Sequence, residues 1–253
     1  MKLHCISDTH MRHREIELPG GDVLIHAGDI MTNRDPGQLL EFLVWFDEQK
    51  YTTKLFIAGN HDHIFEDNPD LAKKILRLFP SITYLQDSEA IIDGIKFYGS
   101  PWIPTNFLGK AFSFLRTEHN IAKRHWSKIP DDTDVLITHS PVYEKLDKIT
   151  KPVRHNQTQL HLGDPSLGKR IKEINPQLHI CGHIHSGQGI LDEDKETTTY
   201  INAASLGEDY QYSNKRRYIP CKILKITSEI GLQENGTLHT IGNQVQESSL
   251  KEH

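Results

Sequence analysis

Short apolar runs recur along the chain, and each stops at a glycine or at a residue type that binds protons and metals. They read LHCIS before Asp8, DVLIHA before Gly28, KLFIA before Gly59, DVLIT before His139 and QLHIC before Gly182. Runs this short, rich in Ile, Leu and Val and closed by Gly or Asp, predict buried strands. Between them the apolar positions switch to helical spacing. Leu39, Leu40, Leu43 and Val44 follow Asp35-Pro36; Leu71, Ala72, Ile75 and Leu76 follow Asn68-Pro69 and stop at Pro80; Leu167, Ile171 and Ile174 follow Asp164-Pro165 and stop before Pro176. In each case a capping side chain and a first-turn proline set the start of a helix. Asp93-Gly94 predicts a hairpin inside a stretch of short strands from Ile82 to Trp102, and residues 110–126 predict a further helix. After Asn202 the pattern is mainly strand-like, with Asn235-Gly236 as another hairpin turn.

Strands alternating with helices predict a layered α/β fold whose working loops leave the carboxyl ends of strands, with the late strands adding a second sheet. No repeat or linker divides the sequence. Residues 1–243 are therefore expected to form one domain and residues 244–253 a frayed polar tail.

Composition narrows the partners. The 253 residues carry a net charge of −5 with both signs interspersed, which argues against a nucleic-acid-tracking surface and against an anionic membrane as partner. Any anionic substrate must be met locally. Three cysteines without a CxxC pair suggest reduced thiols and no zinc ribbon. No apolar run suits a signal peptide or a membrane helix, so a cytoplasmic protein is expected; its oligomeric state is left open. The 16 histidines are the compositional oddity, and they matter because several fall just past strands.

Collected in order, the loops after the five strands deliver Asp8-Thr9-His10, Gly28-Asp29, Gly59-Asn60-His61-Asp62, His139 and Gly182-His183-Ile184-His185. Each alone is weak: an Asp-x-His is usually a solvated pair, and a histidine at a strand end is usually structural. Five loops in succession that supply carboxylate, amide and imidazole are another matter. Mixed nitrogen and oxygen donors suit Mn²⁺, Fe, Zn²⁺ and similar ions better than Mg²⁺ or Ca²⁺. Two such ions about 3.5–4 Å apart can activate water and stabilise the attacking and leaving oxygens of a phosphoryl transfer.

The order D-x-H, G-D, G-N-H-D, H, G-H-x-H resembles the calcineurin-like metallophosphoesterases. The segments SDTHMRH, GDVLIHAGD, FIAGNHD, YGSPW, DVLITH and GHIHSGQG resemble most closely the small metallophosphoesterase-domain-containing phosphodiesterase subgroup. The resemblance runs from Asp8 to His185. It implies a four-layer αββα sandwich of two mixed sheets flanked by helices, and two divalent ions, with Mn²⁺ the first expectation and Fe, Zn, Co, Ni or Mg as others. It places Asp8, His10, Asp29 and His185 on one ion and Asn60, His139 and His183 on the other, with Asp29 bridging. It makes His61 the general acid and Asp62 the residue that orients its ring. The implied reaction is hydrolysis of small phosphodiesters such as cyclic nucleotides by a hydroxide bridging the ions. A phosphomonoesterase, a nuclease and a non-catalytic scaffold of the same fold are the rivals. The G-D-x-x-D-R-G and G-N-H-E forms of phosphoprotein phosphatases are absent, which lowers that reading.

Lesser candidates surround these. Arg12 and His13 follow the first loop and are candidate phosphate contacts, as is Arg34. His161 precedes Gly163-Asp164 at a helix start that could face an anion. Asn202 is a candidate support for the site. His63 is expected to point out of the site, and His4, His26, His179, Cys5 and Cys181 are expected to pack structurally.

Overall fold

The computed structural model of the protein describes residues 1–105, 112–150, 161–192 and 198–211, together with short strand segments beyond residue 218. Strands β1 (Leu3–Ile6), β2 (Gly21–His26), β3 (Tyr51–Phe56) and β4 (Ile82–Tyr84) pair in parallel in chain order. The crossovers are helical: α1 (Pro36–Asp47) joins β2 to β3, and α2 (Ile64–Asp67) with α3 (Pro69–Leu76) joins β3 to β4. The predicted caps are in place, with Asp35 accepting from the Gly37 amide at 2.8 Å and Asn68 from the Leu71 amide at 3.2 Å.

The second sheet begins with a hairpin of β5 (Ser88–Ile92) and β6 (Ile95–Ser100). Its turn places Asp93 at φ 50° and Gly94 at φ 79°, the left-handed pair that a tight hairpin requires. A small parallel pair, β7 (Ile103–Pro104) and β8 (Leu115–Arg116), precedes α4 (Glu118–Arg124). Then come β9 (Val135–Thr138), α5 (Pro165–Ile174), β10 (Leu178–Cys181), β11 (Gly189–Leu191) and β12 (Thr199–Asn202). The spatial order is β11-β12-β10-β9-β6-β5, parallel in the middle and antiparallel at both edges.

Alternation along the strands fixes the layers. Leu3, Cys5, Val23, Ile25, Leu55 and Ile57 point from the first sheet, and Phe97, Val135, Ile137, Ile180 and Ile201 from the second, into one shared core. The residues between them face outward. Leu24 and Phe56 join Leu39, Phe42, Leu43 and Phe46 of α1, while Leu136 joins Leu167 and Ile171 of α5 in the helix-facing cluster. Phe42 stacks on Phe46 and meets Phe56 edge-on, and all three are fully buried. Truncating one of them would cost about 3–5 kcal/mol. The mixed α/β architecture of two sheets flanked by helices is therefore as expected.

Three details differ from the sequence reading. The second sheet is built by residues 88–202, because the late strand β13 (Ile219–Pro220) pairs antiparallel with β1 and extends the first sheet instead. The later β14 (Ile226–Thr227), β15 (Ile230–Leu232), β16 (Leu238–Thr240) and β17 (Gln244–Val245) pair among themselves, so the polar stretch from Gln244 opens with two strand residues; Asn235-Gly236 lies outside the described residues. The helix expected over residues 110–126 is cut to α4 and a following 3₁₀ turn at Trp126–Lys128. The cause is Phe114, which takes φ 58° and is wholly buried, ending in a sharp bend the run that would have continued the helix.

Candidate metal centre

The carboxyl ends of both sheets converge where a β-bridge between Ser7 and Ala204 joins them, reinforced by the Ser205 amide donating to the Ser7 carbonyl at 2.8 Å. Asp8 leaves β1 beside this seam, Asp29 follows β2, Asn60 and His61 follow β3, His139 follows β9, and His183 and His185 follow β10. The chain turns sharply at these points. Asp8, His10, Asp29 and His183 all have positive φ, at 53°, 41°, 58° and 67°. Left-handed conformations in non-glycine residues cost roughly 1–2 kcal/mol each and concentrate at functional sites.

Three sets of donor atoms form, each within 4.8 Å: Asp8, His10 and His185; Asp29, His139 and His183; and His10, Asp29 and His61. Asp29 faces two ways. Its Oδ1 lies 3.4 Å from His139 Nε2, and its Oδ2 lies 3.8 Å from His10 Nε2 and 4.0 Å from His61 Nε2. Asn60 Oδ1 lies 3.2 Å from His139 Nε2 and so joins the second set.

The donors suit a divalent pair. Nδ1 of His10, His139 and His185 each pairs with a backbone carbonyl, of Met31, Ala27 and Gly207, at 3.3, 2.7 and 2.9 Å. Donation at Nδ1 leaves Nε2 as the nitrogen that serves a ligand role once its proton is displaced. His10 Nε2 is buried and has no hydrogen-bond partner among the described residues, an arrangement that costs stability unless a ligand meets it. Two glycines keep the space open. A Cβ on Gly59 would overlap the Asp29 carboxylate and the His139 ring, and one on Gly182 would overlap Asp8.

Charge is finely divided within the cluster. Burial alone would raise Asp8, but His185, through a hydrogen bond and its charge, and then His139 hold it well below the carboxylate range. Burial works to lower His139 and His185; Asp29 beside the first and Asp8 beside the second outweigh it and lift each to about 9. Burial and the nearby charge of His139 push His183 down to about 3. A cation entering here displaces protons from imidazole, so binding is coupled to pH.

Asp62 behaves differently from the expectation that it orients His61. Its carboxylate accepts from the amides of Asp29, Ile30, Met31 and Gly59 at 2.7–3.0 Å, which fixes the loop that aims Asp29. Burial and the Asp29 charge raise it to about 7 against the pull of those amides. The His61 ring instead lies edge-on to His10 and Phe112, with centroids 4.8 and 5.1 Å away.

The lesser candidates scatter. Arg12 is engaged with Glu15, the Tyr210 carbonyl and Gln211 Oε1, so it braces a loop instead of reaching for phosphate. His13 is fully buried against Phe42 and Trp45, because the left-handed residues His10 and Met11 turn the chain back into the core. Arg34 pairs with Asp67. His63 bonds Ser113 Oγ at 2.9 Å. His161, expected at a helix start that could face an anion, instead donates from Nδ1 to the buried Asp147 at 2.6 Å, while Asp164 accepts from the first amides of α5. Asn202 is a support: its amide donates to the Leu146 and Ile184 carbonyls, each at 2.9 Å, and holds the loop carrying His183 and His185. Tyr210 is the residue that sequence reasoning missed. Its ring lies 4.9 Å from His10 and 5.3 Å from His185, and no motif marks it.

Residues 1–187 match the calcineurin-like phosphoesterase family. The chain belongs to that family. As a calcineurin-like phosphoesterase it is a metal-dependent hydrolase of phosphoric esters. The human metallophosphoesterase domain-containing protein 1 is 36% identical over 231 residues, 83% of this chain and 68% of that protein. A Caenorhabditis elegans UPF0046 protein is 34% identical, covering 88% of this chain and 77% of its own. Among solved structures, the phosphopantetheinyl hydrolase PptH of Mycobacterium tuberculosis superposes with a TM-score of 0.58 at 13% identity, over 87% of this phosphoesterase and 95% of PptH, a likeness of fold. No described helix is long and apolar enough to cross a membrane.

Proposed function

We propose that this phosphoesterase is a dinuclear phosphodiesterase, acting in the cytoplasm on small nucleotide-type diesters such as cyclic nucleotides, with Mn²⁺ as the working ion. The observation that carries the dinuclear reading is Asp29, whose two carboxylate oxygens face separate donor sets. Asp8, His10 and His185 would hold one ion, and Asn60, His139 and His183 the other, with Asp29 between. When bound, the pair supplies positive charge for phosphate oxygens and a water activated near neutral pH.

The chain's own groups do the rest. His61, part-exposed on the Asp29 side of the cluster, is placed to give its proton to the leaving alkoxide. The His61 amide also donates to Asp29 Oδ1 at 2.8 Å, so the proton donor and the bridging carboxylate are positioned by one loop. Charge supports the preference for a diester. Asp8 and Asp29 are surrounded by imidazoles, and the Arg12 guanidinium is committed elsewhere. A monoanionic diester asks for less compensating charge than a dianionic monoester. The test compares bis-p-nitrophenyl phosphate with p-nitrophenyl phosphate on Mn²⁺-loaded protein, followed by cyclic nucleotides. Faster turnover of the diester is expected; preference for the monoester would overturn the assignment, and no turnover with any divalent ion would favour a scaffold.

A further inference from the structure

Tyr210 is not a metal donor, yet considerable structure goes into placing it. It sits at φ 58°, a left-handed conformation that is a genuine outlier for a bulky side chain. A tight turn holds it there: the Tyr210 amide donates to the Gly207 carbonyl at 2.9 Å, and the Gly207 amide donates to the Gln211 carbonyl at 2.8 Å. Arg12 clamps the turn from outside through the Tyr210 carbonyl at 2.7 Å and Gln211 Oε1 at 3.0 Å, while Glu15 holds the other edge of the guanidinium. Thus the candidate phosphate-binding arginine serves to orient an aromatic ring.

That ring meets His10 and His185 at 64° and 71°, in T-shaped contact with the imidazoles that flank Asp8. It is 48% exposed, so part of its surface is open to a ligand beside the donor cluster. Across the centre, Phe112 stands against His61 at 66°, and His61 meets His10 at 87°. Phe112, His61, His10 and Tyr210 therefore form a continuous series of ring contacts that runs through the donor cluster. Aromatic side chains with a free face bind planar groups by stacking, with little dependence on their hydrogen-bonding pattern.

We propose that Tyr210 is a substrate-contacting residue whose exposed surface stacks on a planar aromatic substituent of the phosphate ester, a nucleobase or aryl group, so that the site selects aromatic over aliphatic esters. This inference rests on the phosphoesterase reading of the metal centre. Tyr210 governs the affinity for the ester's organic part and leaves the phosphate itself to the metal centre.

Binding of two ligands that cannot be hydrolysed separates these roles. On Mn²⁺-loaded protein, titration calorimetry should show the monoanionic diester analogue methyl(phenyl)phosphinate binding about tenfold more tightly than dimethylphosphinate, the scale of one stacked ring. Tyr210→Leu should abolish that ratio while leaving dimethylphosphinate affinity and metal content within twofold of wild type, and Tyr210→Phe should keep the ratio. A ratio that survives Tyr210→Leu, or equal affinity for both ligands in the wild type, overturns the stacking role alone. A fall in both affinities together, with loss of metal, assigns Tyr210 to bracing His185 through the Gly207 turn and also overturns it. If the loaded wild type binds neither phosphinate, the phosphoesterase reading fails and takes this inference with it.

Discussion

Two groups of histidines share this molecule, and burial alone does not separate them, since His10 and His139 of one are buried like all four of the other. His4, His13, His26 and His179 lie in or beside the strands; His10, His139, His183 and His185 line the seam between the sheets. Burial pushes the first group down to about 4, 4, 3 and 3. Burial also lowers His10 and His183, so a depressed imidazole is no mark of function here. What differs is where the ring nitrogens point. Each hydrogen-bonded strand histidine gives a nitrogen to a neutral partner: His4 to the Tyr51 hydroxyl at 2.6 Å, His26 to Thr9 at 3.0 Å and to the Gly28 amide at 3.2 Å, His179 to Thr138 at 2.8 Å. In the seam, His10, His139 and His185 spend Nδ1 on carbonyls and turn Nε2 toward carboxylates.

The sharpest way to break the contrast is His139→Ala. It should reduce bound metal from two ions to one and turnover by at least about 10³-fold, the equivalent of several kcal/mol of lost charge stabilisation. Metal counting beside kinetics checks both; two ions retained would remove His139 from the ligand set. His61→Ala should leave two ions bound while lowering turnover of an alkyl leaving group by about 10²–10⁴-fold, and less for p-nitrophenolate, which needs no proton. Equal losses for both leaving groups would end its role as proton donor.

On the structural side, His26→Leu leaves the Gly28 amide and the Thr9 hydroxyl unpartnered and should destabilise the fold by about 1–3 kcal/mol in denaturant titrations, with metal content unchanged. His13→Leu gives the smallest change near neutral pH, because neither ring nitrogen has a partner among the described residues. Its effect appears in acid. A histidine held at about 4 when folded and near 6.5 when unfolded stabilises the protein fully above 6.5. That contribution is lost as pH falls toward 4, at about 1.4 kcal/mol per unit. The leucine variant should therefore gain on wild type across that window; parallel stability curves would show that His13 is solvated.

The sequence carried much of this arrangement because its signals were local. Asp35, Asn68 and Asp164 cap helices exactly one residue before a proline, and the five strand-end loops could be read in order from residue types alone. What escaped reading depends on distant partners. Asp62 bonds amides some thirty residues away at Asp29, Ile30 and Met31, His13 is reversed by backbone angles at His10 and Met11, and Tyr210 reaches the centre from a turn nearly two hundred residues beyond His10. Neither spacing nor side-chain chemistry encodes such approaches; they exist only once both sheets are in register.

Gly59 and Gly182 carry no side-chain donor, yet each stands where one methyl group would collide with a carboxylate, of Asp29 or of Asp8. A survey of every alanine replacement would rank these two positions with the metal ligands. Inactivity after replacement therefore identifies, at this centre, both the atoms that act and the volume that must stay empty for them to do so.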